Sequence, residues 1–313
     1  MSQRFRVGNR LLFAVMLLPL SGGLPVFPSS RLPVLPASRL PAQGKPDFEF
    51  RRELAAGKRF YLADIIGDVT VTGGSGRSIE VTAVKREGKH GDPEDVTIET
   101  IELEDGVALC VRYPSSRGRR PPSEKALAKN PCSWSDGNWG NHNERNDTEV
   151  DFTVRVPAGL RLRIGTVSGD VFAERLEGDL ELHSVSGDVR LNGGRGASVN
   201  LETVSGDVDL LDVTSQEVSG HTISGEIVFR GPVQDGGSYD FSTTSGDISA
   251  TLPGQPSATL SAATFSGSFS SDLPVNQDAS RRRRHRYNAT WGDGSAKLYM
   301  ESLSGDLSIR LSR

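Results

Sequence analysis

Apolar residues recur at every second position in short runs along much of the chain. Leu180 and Leu182 are separated by one residue, and so are Val199 and Leu201. Alternation with a period of two is typical of β-strands that bury one face. The pattern therefore predicts an all-β chain built from short strands.

A Ser-Gly-Asp sequence, or a near variant of it, recurs along the second half of the chain. Its serine lies at Ser168, Ser186, Ser205, Ser224, Ser245, Ser266 and Ser304. Successive serines are 18, 19, 19, 21, 21 and 38 residues apart. A fixed period of about 20 residues indicates stacked repeats, and the last spacing is about two periods. The registers also agree, because apolar residues or glycine lie six and four positions before each serine and apolar residues three positions after it.

Each repeat holds two short strands that meet at the Ser-Gly-Asp corner. At its other end lies a variable turn, such as 192–196 or 253–256. One repeat cannot bury its own apolar face, so neighbouring repeats must stack, about 4.8 Å apart. The sequence thus predicts a parallel β-solenoid, similar to a β-helix, whose rungs each contain two strands and about 20 residues.

We interpret the glycine and the acid of each corner as structural residues. Glycine takes backbone angles that other residues resist, and Asp and Ser side chains can bond to the backbone amides of a turn. Stacked carboxylates about 5 Å apart repel each other, so amides or bound cations must absorb their charge. The length of the period favours amides over calcium. The corner residues are Gly169, Asp170, Gly187, Asp188, Gly206, Asp207, Gly225, Glu226, Gly246, Asp247, Gly305 and Asp306.

The stretch Ile66–Val71 resembles the same unit and extends the repeats towards the N-terminus. We therefore predict a repeat domain over residues 47–313. Loops are expected to interrupt it at 86–95, 114–146 and 276–290. The longest of these loops is too polar and too rich in Pro and Gly to belong to a core.

The N-terminal segment has the pattern of an export signal. Arg4, Arg6 and Arg10 precede the uninterrupted apolar run Leu11–Leu18, and small residues follow. A membrane-spanning helix needs about 20 apolar residues, and this run is shorter. A cleaved signal peptide over residues 1–23 is therefore favoured over an uncleaved anchor, which is the alternative.

The segment 24–46 is rich in proline and is predicted to be an extended linker. Cleavage after Gly23 and cleavage near 42–44 both stay open, since both sites offer small residues. We expect an exported protein of the periplasm, the outer surface or the medium, with only its signal segment entering the membrane.

The two cysteines agree with export. Cys110 ends a strand-like run, and Cys132 lies in the polar segment that follows it. Two cysteines in an oxidising compartment usually pair. The sequence therefore predicts a disulfide between them, with two separate thiols as the alternative. A metal site is not expected, because the chain offers too few cysteines and no histidine at ligand spacing.

Charge and motifs argue against nucleic-acid binding and against catalysis. The formal net charge is −4, which disfavours a polybasic nucleic-acid binder. The chain has no nucleophile elbow, Walker loop or His-Glu-x-x-His motif, so we predict neither an enzyme nor a cofactor. The column His183, Glu202 and His221 is interpreted as a surface charge pair, with a divalent metal as the alternative.

Two features are candidates for partner binding. Trp134 and Trp139 lie among Ser, Asn and Gly residues, where indole rings suit contact with a sugar or a peptide. The alternative is that these rings cap the stack. The run Arg281, Arg282, Arg283 and Arg284 could engage an anionic envelope polymer, and its alternative is a solvated charge run.

These features together resemble the bacterial "putative adhesin" family. The resemblance rests on the repeated Thr-[Val/Ile]-Ser-Gly-[Asp/Glu]-[Val/Ile] corner, on the export signal and on the closing sequence from Gly292 to Leu307. It is firm over residues 161–313 and looser over 48–113. That family is defined by this strand repeat and is otherwise a domain of unknown function, so the resemblance implies no catalytic residues.

The resemblance and the architecture predict an exported, non-catalytic protein of the cell envelope or surface. It would present an extended β-solenoid for binding or adhesion to a glycan or a protein that the sequence does not identify. A structural or stress-linked envelope protein without a specific ligand is the alternative. A carbohydrate-active enzyme is the less favoured third hypothesis.

Overall fold

A computed structural model of the protein describes residues 45–114, 130–132, 146–278 and 285–312. All described residues belong to one compact unit of the chain. Within the described ranges, no helix is long and apolar enough to cross a membrane. The predicted signal peptide and nearly all of the predicted linker lie outside the described residues.

The all-β prediction is confirmed. The described part of the chain consists of strands, one short 3-10 helix at Pro93–Asp95 and their connections. The strands are β1 (Phe48–Glu53), β2 (Arg59–Ala63), β3 (Val69–Gly74), β4 (Ser78–Arg86), β5 (Thr97–Leu103), β6 (Gly106–Arg112), β7 (Glu149–Pro157), β8 (Leu160–Gly165), β9 (Val171–His183), β10 (Val189–Glu202), β11 (Val208–Leu211), β12 (Thr214–Ser224), β13 (Ile227–Arg230), β14 (Ser238–Ser245), β15 (Ile248–Leu252), β16 (Ala258–Ser266), β17 (Phe269–Ser271), β18 (Asn276–Asp278), β19 (His285–Trp291), β20 (Ala296–Ser304) and β21 (Leu307–Leu311).

Strands on both sides of the corners pair in parallel and in register. Val189 of β10 lies between Val171 of β9 and Val208 of β11, and the same column continues through Ile227 and Ile248. All five side chains are fully buried. The alternation of the sequence requires this register, because a shift by one residue would turn the whole column towards solvent. We call the residues around one corner serine a rung.

The rung of Ile66 stacks directly on the rung of Ser168, and a parallel bridge joins Ile66 to Ser168. Strand β3 pairs with β9, and β2 pairs with β8, both in parallel. The similarity of Ile66–Val71 to the later repeats therefore reflects the same position in the stack. The intervening segment contributes β6 and β7, which pair in parallel with β2 and β3 on the other side of this rung.

The order of the rungs departs from the order of the chain at the C-terminal end. Leu298 of β20 pairs with Tyr239 of β14 on one side and with Leu260 of β16 on the other. The last rung is thus inserted between two earlier ones. The 38-residue spacing, which we interpreted as two periods, is a return of the chain into the stack.

The predicted loop at 276–290 is wrong in part, because this segment contains β18 and most of β19. Strand β19 pairs antiparallel with β16. Its alternating residues Tyr287, Ala289 and Trp291 face the core, where Tyr287 stacks on Phe269 with ring centroids 4.7 Å apart. Burial of this apolar face explains why a segment that follows an arginine run still forms a strand.

Between β4 and β5 the chain has the 3-10 helix Pro93–Asp95 and its connections, and Arg86, the first residue of the predicted 86–95 loop, is the last residue of β4. Of the predicted loop at 114–146, the described residues are 114, 130–132 and 146. The expectation of purely parallel pairing is corrected in this N-terminal part. Strand β4 pairs antiparallel with β1 and β7, and β5 pairs antiparallel with β6.

The predicted turn at 192–196 is also corrected, because it lies inside the continuous strand β10. Gly193 has a φ of 77° and Arg175, at the same position of the neighbouring rung, has a φ of 51°. One residue in a left-handed conformation is enough to bend the strand there, while its hydrogen bonds to the next rung continue on both sides.

The inner columns form one continuous core. Its largest members include Phe229, Tyr239 and Phe241, whose rings contact one another with centroids 5.6 and 5.1 Å apart. Gly220 lies beside Phe241 in the column four positions before the corner serine, and a Cβ there would already touch the Phe241 ring. The missing side chain at Gly220 therefore leaves room for the larger aromatic ring of the next rung.

A pair of glycine substitutions tests the corner geometry. A Cβ added at Gly206 would lie 2.1 Å from the carbonyl oxygen of Gly187, whereas one added at Gly254 meets nothing within 4 Å. We expect Gly206→Ala to lower the free energy of unfolding by about 2–4 kcal/mol, because the rungs cannot separate without losing hydrogen bonds. Gly254→Ala should change it by less than about 1 kcal/mol. Chemical denaturation measures both, and equal losses would contradict the assignment.

Candidate functional site

The corner acids form a ladder of hydrogen bonds along the stack. In each step a corner carboxylate accepts the backbone N–H of the acid one rung further on. Asp170 accepts from Asp188 at 2.8 Å, Asp188 from Asp207 at 2.9 Å, and Asp207 from Glu226 at 2.8 Å. The ladder begins with Asp151, which accepts the N–H of Asp68 at 3.1 Å, and Asp68 accepts in turn from Asp170. The backbone amides thus hold the charge of these carboxylates, as the sequence predicted.

The ladder continues at the C-terminal end after a break. Asp247 accepts the N–H of Asp306 at 2.7 Å, and Asp306 accepts both the N–H and the hydroxyl of Ser268. These bonds lower the pKa of Asp306, because they stabilise its ionised form. The longer side chain of Glu226 makes no such bond among the described residues, and burial raises its pKa.

Two arginines reach the acid ladder in the described part of the stack, Arg86 at Asp151 and Arg190 further along. The guanidinium of Arg190 donates to Asp188 and to Asp209, both at 2.8 Å, and lies 5.7 Å from the ring centroid of Phe172. Burial raises the pKa of Asp209, and Arg190 acts against that rise. The other ladder acids are half-buried or exposed, so the corner edge carries a row of negative charge.

Beside the acid ladder runs a second ladder, of buried hydroxyl groups. Two residues before each corner serine, a Thr or Ser donates to the carbonyl of the corner glycine one rung away. Thr203, for example, donates to Gly187 at 2.9 Å and Thr222 to Gly206 at 3.0 Å. The other members are Thr166, Ser184, Thr243, Thr264 and Ser302. Sequence reasoning missed this ladder, although the repeated hydroxyl residue before the corner was its signal.

Asp64 occupies the hydroxyl position in the first rung. It is 1% exposed, and its Oδ2 has no hydrogen-bond partner among the described residues. A Cβ on Gly67 would lie close to both Asp64 Oδ2 and the Val150 carbonyl oxygen. At Gly267 the corresponding neighbours are a ladder hydroxyl and the carbonyl oxygen to which it donates. Asp64 Oδ2 therefore occupies the place of a donating hydroxyl.

The pKa of Asp64 is raised to about 8, chiefly by burial and also by the carboxylates of Asp151 and Asp68, while the hydrogen bond from the Ile65 amide acts in the opposite direction. Tyr113 lies nearby, and its pKa is raised by burial and by the charge of Asp64. A protonated Asp64 could donate to Val150 as the hydroxyls of later rungs donate to glycine. We therefore expect Asp64 to be neutral in the folded protein at neutral pH.

The predicted column of His183, Glu202 and His221 is brought together, since Glu202 pairs in register with both histidines. His221 contacts the hydroxyl of Ser242 at 2.7 Å. Burial lowers the pKa of His183, and the charge of Arg163 lowers it further. In the described ranges, no group of three or more His, Cys, Asp or Glu side chains is placed to hold a metal ion.

The predicted disulfide joins Cys110 and Cys132, whose Cα atoms are 5.4 Å apart. It lies in a small second cluster of buried residues with Tyr61, and the Tyr61 hydroxyl donates to Asn130 at 2.9 Å. Arg112 donates to the Cys132 carbonyl. The disulfide therefore fastens the segment around Cys132 to the outer face of β6. Trp134, Trp139, Arg281, Arg282, Arg283 and Arg284 lie outside the described residues.

The residue just before the corner position is apolar in most rungs; it is half-buried in the first two, where Ile65 packs against the core, and exposed in the others. The exposed fractions are 40% for Val185 and for Val204, 52% for Ile223 and for Phe265, and 53% for Leu303. We call this column the apolar stripe. In stacking order its members are Ile65, Val167, Val185, Val204, Ile223, Thr244, Leu303 and Phe265. In the sequence these positions lie within the corner motif, and no role was predicted for them.

The geometry defines a class of protein, a stack of β repeats whose polar corner groups bond one another from rung to rung. The family described as Toastrack DUF4097 matches residues 145–310, which is more than half of the 313-residue chain. The chain belongs to this family. The match covers the corners from Ser168 to Ser304.

Two solved structures show a low similarity to the chain. A "putative cell adhesion protein" from Clostridium sporogenes ATCC 15579 has 11% identity and a TM-score of 0.34, with 86% of this chain and 100% of that chain covered. A "putative adhesin" from Bacteroides fragilis NCTC 9343 has 11% identity and a TM-score of 0.40, with 84% and 96% covered. At these TM-scores neither supports an argument about this chain. No curated protein matches the chain.

Substitution of Asp64 tests its protonation. Because its folded pKa of about 8 lies above its usual value of 3.8, the folded protein keeps a proton that the unfolded chain releases. The stability that Asp64 contributes is therefore full below about pH 4 and falls by about 1.4 kcal/mol per pH unit up to about pH 8. Asp64→Thr restores the hydroxyl and removes this loss of stability. The free energy of unfolding of the variant should therefore exceed that of the parent protein by an amount that grows between pH 5 and pH 8.

Urea denaturation at pH 5 and at pH 8 measures the free energy of unfolding of Asp64→Thr and of the parent protein. Asp64→Asn, which also cannot titrate, should show the same pH trend. Thr166→Val removes a hydroxyl of the next rung and should be destabilising by a similar amount at both pH values. If the free energies of unfolding of Asp64→Thr and the parent protein differ by the same amount at both pH values, the result would contradict a protonated Asp64.

Removal of divalent cations tests the acid ladder. Because backbone amides bind the carboxylates, we expect the chelator EDTA to leave the melting temperature unchanged. A cation bound only to the folded state would add about 2.7 kcal/mol at a hundredfold excess over its Kd, and chelation would remove that stability. A large drop with EDTA that disappears in the Asp188→Asn/Asp207→Asn variant would make the ladder a cation site.

Proposed function

We propose that the chain is an exported, non-catalytic protein of the cell envelope or surface whose β-solenoid presents a binding surface. One observation carries the proposal. At the corners, the carboxylates and hydroxyls that could perform chemistry bond to the backbone of the next rung, while apolar side chains face solvent. Groups committed to structural bonds are poor acid–base catalysts, and exposed apolar patches mark interaction sites.

The disulfide supports export. Disulfides persist in oxidising compartments and are rare in the cytosol. The bond between Cys110 and Cys132 lies in a small cluster of buried residues that is separate from the main core. We propose that residues 1–23 are a signal peptide, that 24–46 are a linker and that the protein acts in the periplasm, on the outer surface or in the medium.

The parallel pairing of the rungs supports the solenoid part of the proposal. Corner serines bridge in parallel from rung to rung, and each corner places the next residue of every column directly above the last. Such a stack presents long straight rows of identical side-chain positions. Rows of this kind suit an extended partner, either a glycan or a protein, better than a compact small-molecule substrate.

Expression of the full chain in a bacterium tests export. We expect the envelope or medium fraction to contain a product that lacks at least residues 1–23. Its intact mass should increase by about two hydrogens on reduction, as expected for one disulfide. The Cys110→Ser/Cys132→Ser variant is the control, since reduction should leave its mass unchanged. A full-length cytosolic product with two alkylatable thiols would contradict the proposal.

A further inference from the structure

The apolar stripe collects the exposed large apolar side chains of the described residues. All five that reach this exposure, Val185, Val204, Ile223, Phe265 and Leu303, belong to it. Single exposed apolar residues are ordinary on protein surfaces, but a contiguous row is not. Eight stacked rungs about 4.8 Å apart give a row about 34 Å long.

The fold does not require apolar residues at these positions. What the stack uses is the backbone, since the carbonyls of Val167, Val185 and Val204 accept the N–H of the next corner serine. Thr244 occupies one rung of the row and keeps the same pairing. Strand propensity favours Val and Ile there, but it does not account for Leu303 or for exposure of the Phe265 ring. The apolar character of the row therefore has another cause.

A row of acids runs parallel to the stripe, three residues further along in each rung. Its members are Asp68, Asp170, Asp188, Asp207, Glu226, Asp247 and Asp306. Of these, Asp188 forms an ion pair with Arg190, and the charges of Arg190 and Arg86 also act on Asp170 and Asp68, while the described residues form no ion pair with the remaining acids. The amides hold one oxygen of most of these carboxylates but leave net negative charge along the edge. A complementary partner must therefore carry both apolar and positively charged groups.

The dimensions favour a slender occupant. A row about 34 Å long and one side chain, or about 10 Å, wide offers about 340 Å², well below the roughly 800 Å² per partner of a stable protein–protein interface. A second copy of the chain would also bring its own acid row. An anionic bilayer would be repelled by the same charge. An extended polypeptide of about ten residues spans the whole row.

We infer that the apolar stripe and the acid row form a docking surface for an extended polypeptide segment of a partner, one that alternates apolar and basic side chains. Apolar side chains of the segment lie on the stripe, and basic ones reach sideways to the carboxylates. This inference rests on the proposed binding function and names the site and the class of partner.

The probe is a fluorescent peptide of about twelve residues that alternates Val and Lys, long enough to cover the row. The control peptide alternates Val and Glu. Fluorescence anisotropy with the full protein should show binding of the Val–Lys peptide that weakens with rising ionic strength, and no binding of the Val–Glu peptide. Absence of Val–Lys binding, or equal binding of both peptides, overturns the inference.

An isosteric pair of variants locates the site. Val204→Thr should weaken binding about threefold, and Thr244→Val should tighten it by a similar factor, because each exchanges one exposed methyl for a hydroxyl or the reverse. Asp207→Asn removes charge but keeps the Oδ1 that accepts the Glu226 amide, so it should weaken binding and reduce the salt dependence. Because these residues are not in the core, all three melting temperatures should stay close to that of the parent protein.

Other occupants are outcomes of the same experiment. Binding of the parent protein to vesicles of anionic phospholipid, or a concentration-dependent dimer seen in sedimentation, would overturn the peptide inference if Ile223→Thr/Leu303→Thr abolished it. Unchanged peptide binding in every stripe variant would overturn the inference alone and leave the proposed surface function intact. A cytosolic, reduced protein would overturn the proposed function whatever the peptide does.

Discussion

The close approach of backbones at the corners is the constraint on which the rest of the structure depends. The N–H of Gly187 donates to the Ser205 carbonyl at 3.0 Å, and the N–H of Ser205 donates back to the Val185 carbonyl at 2.9 Å. These bonds bring each corner glycine against the glycine carbonyl of the preceding rung, at a distance that leaves no space for a Cβ. Glycine at each corner therefore sets the spacing of the rungs, and the columns of side chains follow from that spacing.

The same constraint decides which polar groups are available for function. Because the corners are stacked in register, a carboxylate meets an amide of the next rung and a buried hydroxyl meets its carbonyl. Both ladders satisfy backbone groups that would otherwise be buried without partners. The corner carboxylates and the buried hydroxyls, which are the groups that could perform chemistry, are therefore already engaged in structural bonds. The positions that the stack does not use, chiefly the apolar stripe, are where a partner can act.

Electrostatics in the stack depends on how each acid is solvated. The corner acids are partly exposed and accept amide hydrogen bonds, which keeps a row of like charges tolerable. Asp64 lies at the buried position where the other rungs have a hydroxyl, and burial opposes its ionisation. The buried Asp64 lies two residues before the corner position, whereas the corner acids lie two residues after it, and this difference decides whether an aspartate is a surface charge or a buried proton donor.

The period of the corners and the alternation of apolar residues were sufficient to predict an all-β chain, the corner residues and the partners of the disulfide, because these features repeat along the chain or follow from simple pairing rules. The return of Leu298 between Tyr239 and Leu260 was not predictable, since rung order depends on contacts between distant segments. The strand formed by Tyr287, Ala289 and Trp291 was missed for the same reason, because only the core beside it makes its alternation stable.

The stripe was present in the sequence as Val, Ile, Phe and Leu before most corners, but apolar residues in a strand are ordinarily buried. Only the tertiary structure decided that these point to solvent, because the corner turns the chain just where they lie.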